Sequence, residues 1–366
     1  MIKEAQIKMP KVSVVIPTYN FGHFLGEALQ SVLDQTFADF EVIVVDDGST
    51  DNTRDVVASF KDDRIRYIYQ ENRGVAAATN VGILASNGEY LAQVDADDVW
   101  LPQKLELQVK VLDSRADVSA VCSDIYVFDD QTGAITGRFW HNSPYLGSFD
   151  PQVAAREPLR CLLSQGCFVH SSTALVRRIV LNEVGLYDES LKTHEIWDMW
   201  ARILLHHALE VIDIPLAKYR RHTGNLTVYW DQMYEDGVTV LEKAMRSLPL
   251  APDDRRILRK RLSRHHFSYG RGLVLNDRIP LGRKKLLVSI KTNPWRIRPY
   301  IYLAVSLIGS RPILTVKSWK KWLKCRLSRS SQARDAATAI RVDGEFKAPN
   351  VHKINGGLEE RSPDNA

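Results

Sequence analysis

Short apolar runs alternate with segments of helical spacing through the first hundred residues, and this alternation constrains the fold more than any other feature. The predicted strands are residues 12–16, 40–45, 65–69 and 90–94, and the helices predicted between them are residues 21–35, 52–60 and 75–84. Strands that alternate with helices in this way pair in parallel and are covered by helices on both faces. Ligands of such sheets bind beyond the carboxyl ends of the strands.

Polar residues follow the predicted strands, at the end where a ligand is expected. They are Pro17, Thr18, Tyr19 and Asn20 after the first strand, Asp46 and Asp47 after the second, Arg73 and Gly74 after the third, and Asp95, Asp97 and Asp98 after the fourth. An arginine at this place can bind a phosphate, and a glycine lets the backbone approach one closely. The alternative for Arg73 is a solvated surface charge, which its position at a strand end disfavours.

The segment DADDVW places three carboxylates within four residues, at Asp95, Asp97 and Asp98. Like charges this close repel one another, so the arrangement favours a bound cation. Hard oxygen ligands suit Mg²⁺ or Mn²⁺, and such ions usually keep positions that substrate phosphates fill. The segment therefore predicts a metal and diphosphate site, and the alternative is a loop of solvated charges.

The segment DDGST predicts both a helix cap and a ligand contact. Residues 49–51 are Ser, Thr and Asp, which are good N-cap residues ahead of the helix predicted from residue 52. We expect these three to be structural, and Asp47 to accept a hydrogen bond from a base or a ribose.

Four segments resemble, in order and spacing, the nucleotide-binding half of the inverting glycosyltransferases of family 2; they are VSVVIPTYN, EVIVVDDGSTDNT, NRGVAAATNVGILASNGEY and DADDVW. The resemblance is close over residues 11–100 and looser to about residue 227. It implies an α/β fold of the GT-A (Rossmann-like) type, with a mostly parallel sheet flanked by helices. The family pattern ends at residue 230, and the helical spacing of residues 234–247 and 253–274 predicts a C-terminal helical appendage. The resemblance also implies that Asp47 contacts the nucleotide base, that Asp95 and Asp97 form the DxD pair, and that Asp97 or Asp98 holds the divalent metal.

The general base expected from this resemblance lies in the segment THEIWDMWAR. Family members commonly carry Glu-Asp at the start of this helix; Glu195 matches, but the second acid is replaced by Ile196, which cannot take a proton. Glu195 is therefore the first choice for the catalytic base, Asp198 the second and His194 the third. The alternative is structural, with Glu195 capping the helix and Asp198 pairing with Arg202.

The segment KYRRHTGNLT, residues 218–227, resembles the family's Tyr-Arg-x-His segment that closes the GT-A domain. We expect His222 to approach the diphosphate or the metal, and the alternative is a structural histidine. The residues expected to bind the nucleotide sugar are Pro17, Thr18, Tyr19, Asp47, Arg73, Asp95, Asp97 and His222.

The C-terminal part combines positive charge with aromatic residues. Residues 281–330 contain thirteen Lys or Arg and no Asp or Glu, while the whole chain has a net charge of +5. Aromatic rings among cations predict an interfacial helix on an anionic membrane, which residues 317–326 fit best. A solvated helical face is the alternative, and nucleic acid is not expected because no binding signature accompanies the charge. Residues 331–366 are predicted to be disordered.

The rest of the sequence indicates a cytoplasmic protein. Its N-terminal segment MIKEAQIKMPK lacks the long apolar run of a secretory signal, no stretch is apolar enough to span a bilayer, and the four cysteines show neither zinc nor disulfide spacing. We expect the chain to be cytoplasmic, with a peripheral contact on the cytoplasmic face of an anionic membrane.

We expect residues 1–10 to be an extension, residues 11–228 a GT-A domain with a nucleotide-binding half (11–100) and an acceptor half (101–228), and residues 229–330 a basic helical region. The expected activity is metal-dependent transfer, with inversion, from a nucleotide-diphosphate sugar to a hydroxyl of a glycan or lipid-linked acceptor. Lipopolysaccharide, capsule or exopolysaccharide synthesis is the expected setting. A catalytically silent nucleotide-sugar-binding protein and a nucleotidyltransferase remain as alternatives.

Overall fold

The structure, a computed structural model, describes residues 9–142, 146, 149–222 and 230–307, with only the backbone at residue 230. All of these belong to one compact unit that ends at Leu307. The predicted segments 317–326 and 331–366 lie outside the described residues. Among the described helices, none combines the length and the apolar character needed to cross a lipid bilayer.

In the part of the chain that the structure describes, nine strands form one mixed sheet. They are β1 (Val12–Thr18), β2 (Phe40–Asp46), β3 (Ile65–Tyr69), β4 (Tyr90–Gln93), β5 (Val99–Trp100), β6 (Ala120–Asp129), β7 (Ile135–Arg138), β8 (Leu175–Arg177) and β9 (Leu209–Arg221). Their order is β3-β2-β1-β4-β8-β6-β9-β5, and β7 pairs with β6 outside this row. The first four strands are parallel, as the alternation predicts, whereas β8 is antiparallel to both β4 and β6.

Thirteen helices occur in the described residues. They are α1 (Gly22–Leu33), α2 (Thr53–Ser59), α3 (Val75–Ala85), α4 (Lys104–Ser114), α5 (Phe139–Asn142), α6 (Pro151–Arg156), α7 (Pro158–Ser164), α8 (Arg178–Val184), α9 (Glu195–Leu204), α10 (Trp230–Ser247), α11 (Pro252–Leu275), α12 (Ile279–Thr292) and α13 (Ile297–Ser306). A single 3-10 turn, Ser171–Thr173, precedes β8. The helices predicted from periodicity in the first hundred residues are present, with ends that differ by one or two residues.

Among the described residues, apolar side chains of the sheet contribute to two large hydrophobic clusters and to a small one around Ile43, Val45 and Ala78. One large cluster contains buried residues of β1 and β2 with Leu25 and Leu29 of α1 and Leu105 of α4. The other large cluster joins Trp197 and Trp200 of α9 to side chains of α7, α10 and α11. The C-terminal helices therefore pack on the helix that carries the expected catalytic base, and they cover the apolar residues of that helix.

Candidate functional site

The sheet order brings the ends of β2, β1 and β4 together. Thr18 lies beside Asp46 in the register of β1 and β2, and the backbone N–H of Asp47 donates to the carbonyl of Thr18 at 2.8 Å. Beyond β4, Val94 donates to the carbonyl of Val15 in β1 at 3.1 Å. The polar segments that follow these strands therefore share one edge of the sheet.

Asp47 is buried and organises the loop that follows β3. Its carboxylate accepts from Gln70 Nε2 at 2.6 Å, from the Arg73 N–H at 2.9 Å and from the Gly74 N–H at 2.8 Å. Gly74 has a φ of +91°, a conformation that favours glycine. A carboxylate has about four acceptor sites, so these three bonds leave room for one more. Asp47 thus holds a loop in place, and the expected base contact stays a prediction.

The residues expected to be structural in DDGST have that role. Asp51 accepts from the N–H and hydroxyl of Thr53 at the start of α2, and from the N–H of Gly22 at the start of α1. Ser49 accepts from the N–H of Asn20 at 2.9 Å. These bonds fix the loops after β1 and β2 against each other.

Three side chains near these loops, Thr18, Tyr19 and Arg73, have hydrogen-bonding groups that a ligand could engage. The Thr18 hydroxyl is buried and has no hydrogen-bond partner among the described residues. Tyr19, which follows Pro17 and Thr18, is 47% exposed. The Arg73 side chain is 56% exposed and pairs with Glu189 at 2.6 Å. An exposed pair of this kind contributes little to stability, so Arg73 can exchange Glu189 for a phosphate at small cost.

The acidic loop after β4 is held by serines from the 3-10 turn before β8. Ser171 Oγ donates to the carboxylate of Asp95, and Ser172 Oγ donates to Asp98 at 2.6 Å. Asp98 is completely buried. Burial, followed by the charges of Asp97 and Asp95, raises the pKa of Asp98 well above its usual value.

A histidine that the sequence analysis missed completes this cluster. Ligand atoms of Asp95, Asp98 and His170 all lie within 4.8 Å of one another. Burial lowers the pKa of His170, so its imidazole is neutral and can coordinate a metal. A cation would stabilise both the buried carboxylates and the neutral imidazole, so these residues fit a divalent metal. The signal in the sequence is a histidine in the polar segment HSST before a short strand.

Asp97 lies on the other side of the loop and contacts His222. Its Oδ2 is 2.9 Å from His222 Nε2. Burial, and after it the charge of Asp95, raises the pKa of Asp97, while the contact with His222 opposes this shift. The His222 ring also packs against Phe24, with 4.8 Å between ring centroids. The structure therefore brings together all four acidic-loop and histidine residues that the sequence predicted: Asp95, Asp97, Asp98 and His222.

Arg220 clamps the acidic loop from β9. Its backbone N–H donates to Asp98 at 3.2 Å, and its buried guanidinium donates to the Asp97 carbonyl at 2.9 Å, to Asp130 at 2.9 Å and to Glu27. The guanidinium also lies over Phe24 and Phe128, 4.7 Å from each ring centroid. This residue positions the loop rather than a ligand.

Replacing Arg220 by lysine is expected to lower the free energy of unfolding by about 3 kcal/mol. A single ammonium group cannot make all the hydrogen bonds of the buried, planar guanidinium. Urea denaturation of the full chain measures the loss. Arg221→Lys is the matched control, since Arg221 is exposed, and it should change the free energy by less than about 0.5 kcal/mol. Equal losses in the two variants would contradict the clamp.

Glu195 begins α9 as a buried carboxylate. Burial raises its pKa to about 7, and the charges of Asp95 and Asp236 add to the shift. Among the described residues, Glu195 makes no ion pair and accepts only from its own backbone N–H. The turn before it is fixed by α10, since the N–H and hydroxyl of Thr193 donate to Asp236 at 3.1 and 2.8 Å.

The other two candidates for the base differ from Glu195 in their surroundings. Asp198 is buried against two cations, with Arg202 Nε at 3.1 Å and Lys243 Nζ at 2.8 Å. The structural alternative for Asp198, a pair with Arg202, is thus present. His194 adopts a φ of +65°, and burial lowers its pKa to about 4. The pKa of Glu195 suits it better than His194 to accept a proton near neutral pH, and Glu195 lacks the ion pairs that hold Asp198.

Comparisons with known proteins place the sequence among sugar-transferring enzymes. A family model described as "Glycosyl transferase family 2" matches residues 13–185. The chain is 34% identical over 237 residues to "Uncharacterized glycosyltransferase RP339" of Rickettsia prowazekii. This alignment covers 63% of the chain and 71% of that protein. It is 29% identical over 219 residues to the Escherichia coli protein "UDP-Glc:alpha-D-GlcNAc-diphosphoundecaprenol beta-1,3-glucosyltransferase WfgD", covering 59% of the chain and 79% of that protein.

The fraction of a related protein's length that aligns with this chain varies from one relative to another. The chain covers between 31% and 84% of the length of curated relatives that it matches.

Solved structures share the fold. TarS 1–349 from S. aureus, in complex with UDP-GlcNAc, has a TM-score of 0.61 at 21% identity, covering 85% of this chain and 92% of that one. Mannosyltransferase PcManGT from Pyrobaculum calidifontis, in complex with GDP-Man and Mn²⁺, has a TM-score of 0.55 at 19% identity, covering 86% and 84%. The predicted GT-A fold with C-terminal helices is confirmed.

Proposed function

Because the chain belongs to glycosyltransferase family 2, we propose that it transfers a sugar from a nucleotide-diphosphate sugar to an acceptor hydroxyl with inversion. The observation that carries this proposal is the electrostatic interaction between two groups of titratable side chains. One is the acidic loop with its two histidines, and the other is Glu195, a buried carboxylate whose pKa of about 7 is affected by the charge of Asp95.

Asp95, Asp98 and His170 would hold a divalent ion, with Asp97 and His222 beside them. Carboxylates suit Mn²⁺ and Mg²⁺, and an imidazole in the set favours Mn²⁺ over Mg²⁺. When bound, the ion supplies positive charge to the diphosphate of the donor and its leaving group. Mn²⁺ in the structure of PcManGT supports this assignment.

The chain's own residues would bind and align the two substrates. The edge formed by Thr18, Tyr19 and Asp47 would receive the nucleoside, and Arg73 would bind a phosphate after releasing Glu189. Glu195 would take the proton of the acceptor hydroxyl while the hydroxyl oxygen attacks the sugar carbon. The bond from that carbon to the nucleoside diphosphate breaks in the same step, so transfer is a single in-line displacement.

The donor and acceptor classes follow from the relatives. UDP-GlcNAc in the TarS complex makes a UDP-sugar the first donor to test. WfgD is named for a diphosphoundecaprenol acceptor, which supports a lipid-linked acceptor for cell-surface glycan synthesis on the cytoplasmic face of a membrane.

The proposal is tested by measuring nucleoside diphosphate release from UDP-, GDP- and dTDP-sugars with the full chain, with and without Mn²⁺ and lipid-linked acceptors. We expect one donor to turn over, with release dependent on Mn²⁺ and increased by one acceptor. Binding of a nucleotide sugar without any turnover would identify a silent binding protein. Release of pyrophosphate from a nucleoside triphosphate and a sugar phosphate would identify a nucleotidyltransferase.

A further inference from the structure

Helix α13 presents an apolar face to the outside of the protein, where a helix in contact with water is normally polar. Its inner face packs normally: Tyr302 contacts Phe267, with 5.5 Å between ring centroids, and Arg283 donates to the carbonyl of Ser306 at 2.6 Å. The exposed residues recur every three or four positions and so form one stripe. They are Ile297, Tyr300, Ile301, Ala304 and Leu307.

The exposure of this region is unusual for the protein. Trp295, just before α13, is 92% exposed, Ile297 is 72% exposed and Leu307 is 70% exposed. Six of the fourteen exposed large apolar side chains of the described residues lie within residues 287–307. Single exposed apolar residues are normal on a protein surface, but apolar residues concentrated in one patch mark an interaction surface.

Positive charge surrounds the apolar stripe. Residues 279–307 contain six Lys or Arg and no Asp or Glu. Lys284, Leu287 and Lys291 are exposed on one face of α12, and Arg298 is exposed at the start of α13. We use the name basic-apolar face for Lys284, Leu287, Lys291, Trp295 and Arg298 together with the apolar stripe of α13.

A cationic cavity adjoins this face where α12 ends. Its volume is about 440 Å³, and it lies between α10, α11 and α12. Arg246, Arg259 and Lys291 line it with one acid, Glu242. Three cations around an open cavity match an anionic phosphate group, such as that of a lipid headgroup.

We propose that the basic-apolar face docks on an anionic lipid bilayer. Ile297, Ile301 and Leu307 would enter the acyl boundary, Trp295 would lie at headgroup depth, and the cations would contact lipid phosphates. A second copy of the chain fits less well, because a symmetric contact would bring the three exposed cations of each face, Lys284, Lys291 and Arg298, together with no acid among residues 279–307. This proposal deepens the proposed function and rests on it for the lipid-linked acceptor, which the enzyme would meet at that surface.

The test is co-sedimentation of the full chain with vesicles of phosphatidylcholine alone or with about a third phosphatidylglycerol. We expect binding to the anionic vesicles that weakens with salt, and a loss of about tenfold or more in partitioning for the double variant Ile297→Glu, Ile301→Glu. The matched control is Ile135→Glu, Ile179→Glu, which changes two isoleucines of similar exposure on β7 and α8 and should bind as the unchanged chain does.

Three results would overturn the proposal. They are an unchanged chain that binds no anionic vesicle, a double variant that binds as well as the unchanged chain, and a dimer in sedimentation velocity that the same variant dissociates. Binding of a nucleoside diphosphate, followed by thermal shift in the same variants, should be unaffected. Failure of nucleotide binding in the unchanged chain would argue against the proposed function while leaving the vesicle result intact.

Discussion

Replacing Glu195 by glutamine is expected to lower the turnover of sugar transfer by about 10²- to 10⁴-fold, because the amide keeps the size of the side chain but cannot accept the acceptor's proton. Glu195 is buried and unpaired among the described residues, so no ion pair is lost. Nucleotide binding should remain, since the acidic loop is unchanged. Initial rates at saturating donor and acceptor, together with a donor titration, separate the two effects.

The pH dependence provides a second readout of the same residue. Burial raises the pKa of Glu195 to about 7, and only the deprotonated form can act as a base. The kcat/KM of the unchanged enzyme should therefore rise between about pH 6 and pH 8, and this rise should disappear in Glu195→Gln.

Asp198→Asn is the matched control, because Asp198 lies one turn further along the same helix. It is held by Arg202 and Lys243, so its replacement is expected to lower thermal stability while most of the turnover remains. Loss of turnover in Asp198→Asn with retention in Glu195→Gln would reverse the assignment. Full turnover in both variants would reject both residues.

Replacing Asp98 by asparagine is expected to weaken Mn²⁺-dependent binding of a nucleoside diphosphate by about 100-fold or more, because a buried carboxylate ligand is lost. Titration calorimetry with UDP, with and without Mn²⁺, measures the change. Asp117→Asn is the control, since Asp117 is exposed and pairs with Arg115 outside the acidic loop. This variant should bind UDP and Mn²⁺ as the unchanged chain does.

The fold of Asp98→Asn should survive the substitution. Burial and two neighbouring carboxylates raise the pKa of Asp98, so a neutral amide removes repulsion when no metal is bound. Asparagine can accept from only one of the two donors, Ser172 Oγ and the Arg220 N–H. The lost bond offsets the relieved repulsion, so the unfolding temperature without metal should stay close to that of the unchanged chain. Mn²⁺ with UDP at 100 times the dissociation constant should stabilise the unchanged chain by about 2.7 kcal/mol and the variant by less than about 0.5 kcal/mol. Equal stabilisation of both would contradict a metal site at Asp98.

The sequence by itself predicted the repeating part of the fold and the chemistry at its edge. The strands and helices of the first hundred residues follow from the spacing of apolar residues along the chain. Because the strands pair in parallel, their carboxyl ends lie side by side. Prediction was less complete further along the chain. Strand β9 runs from Leu209 to Arg221 although its own apolar pattern is short, because pairing with β6 sustains it to its end.

Only the tertiary structure decided which residues meet across long distances in the chain. His170 and the two serines reach the acidic loop because β8 is inserted between β4 and β6, an antiparallel pairing that no local pattern encodes. Lys243 reaches Asp198, and Asp236 fixes the turn before Glu195, because α10 packs on α9. Local sequence determines the type of each element and the residues that follow it. Contacts between distant elements depend on how whole apolar faces pack, so they emerge only when the complete sheet and its helices have assembled.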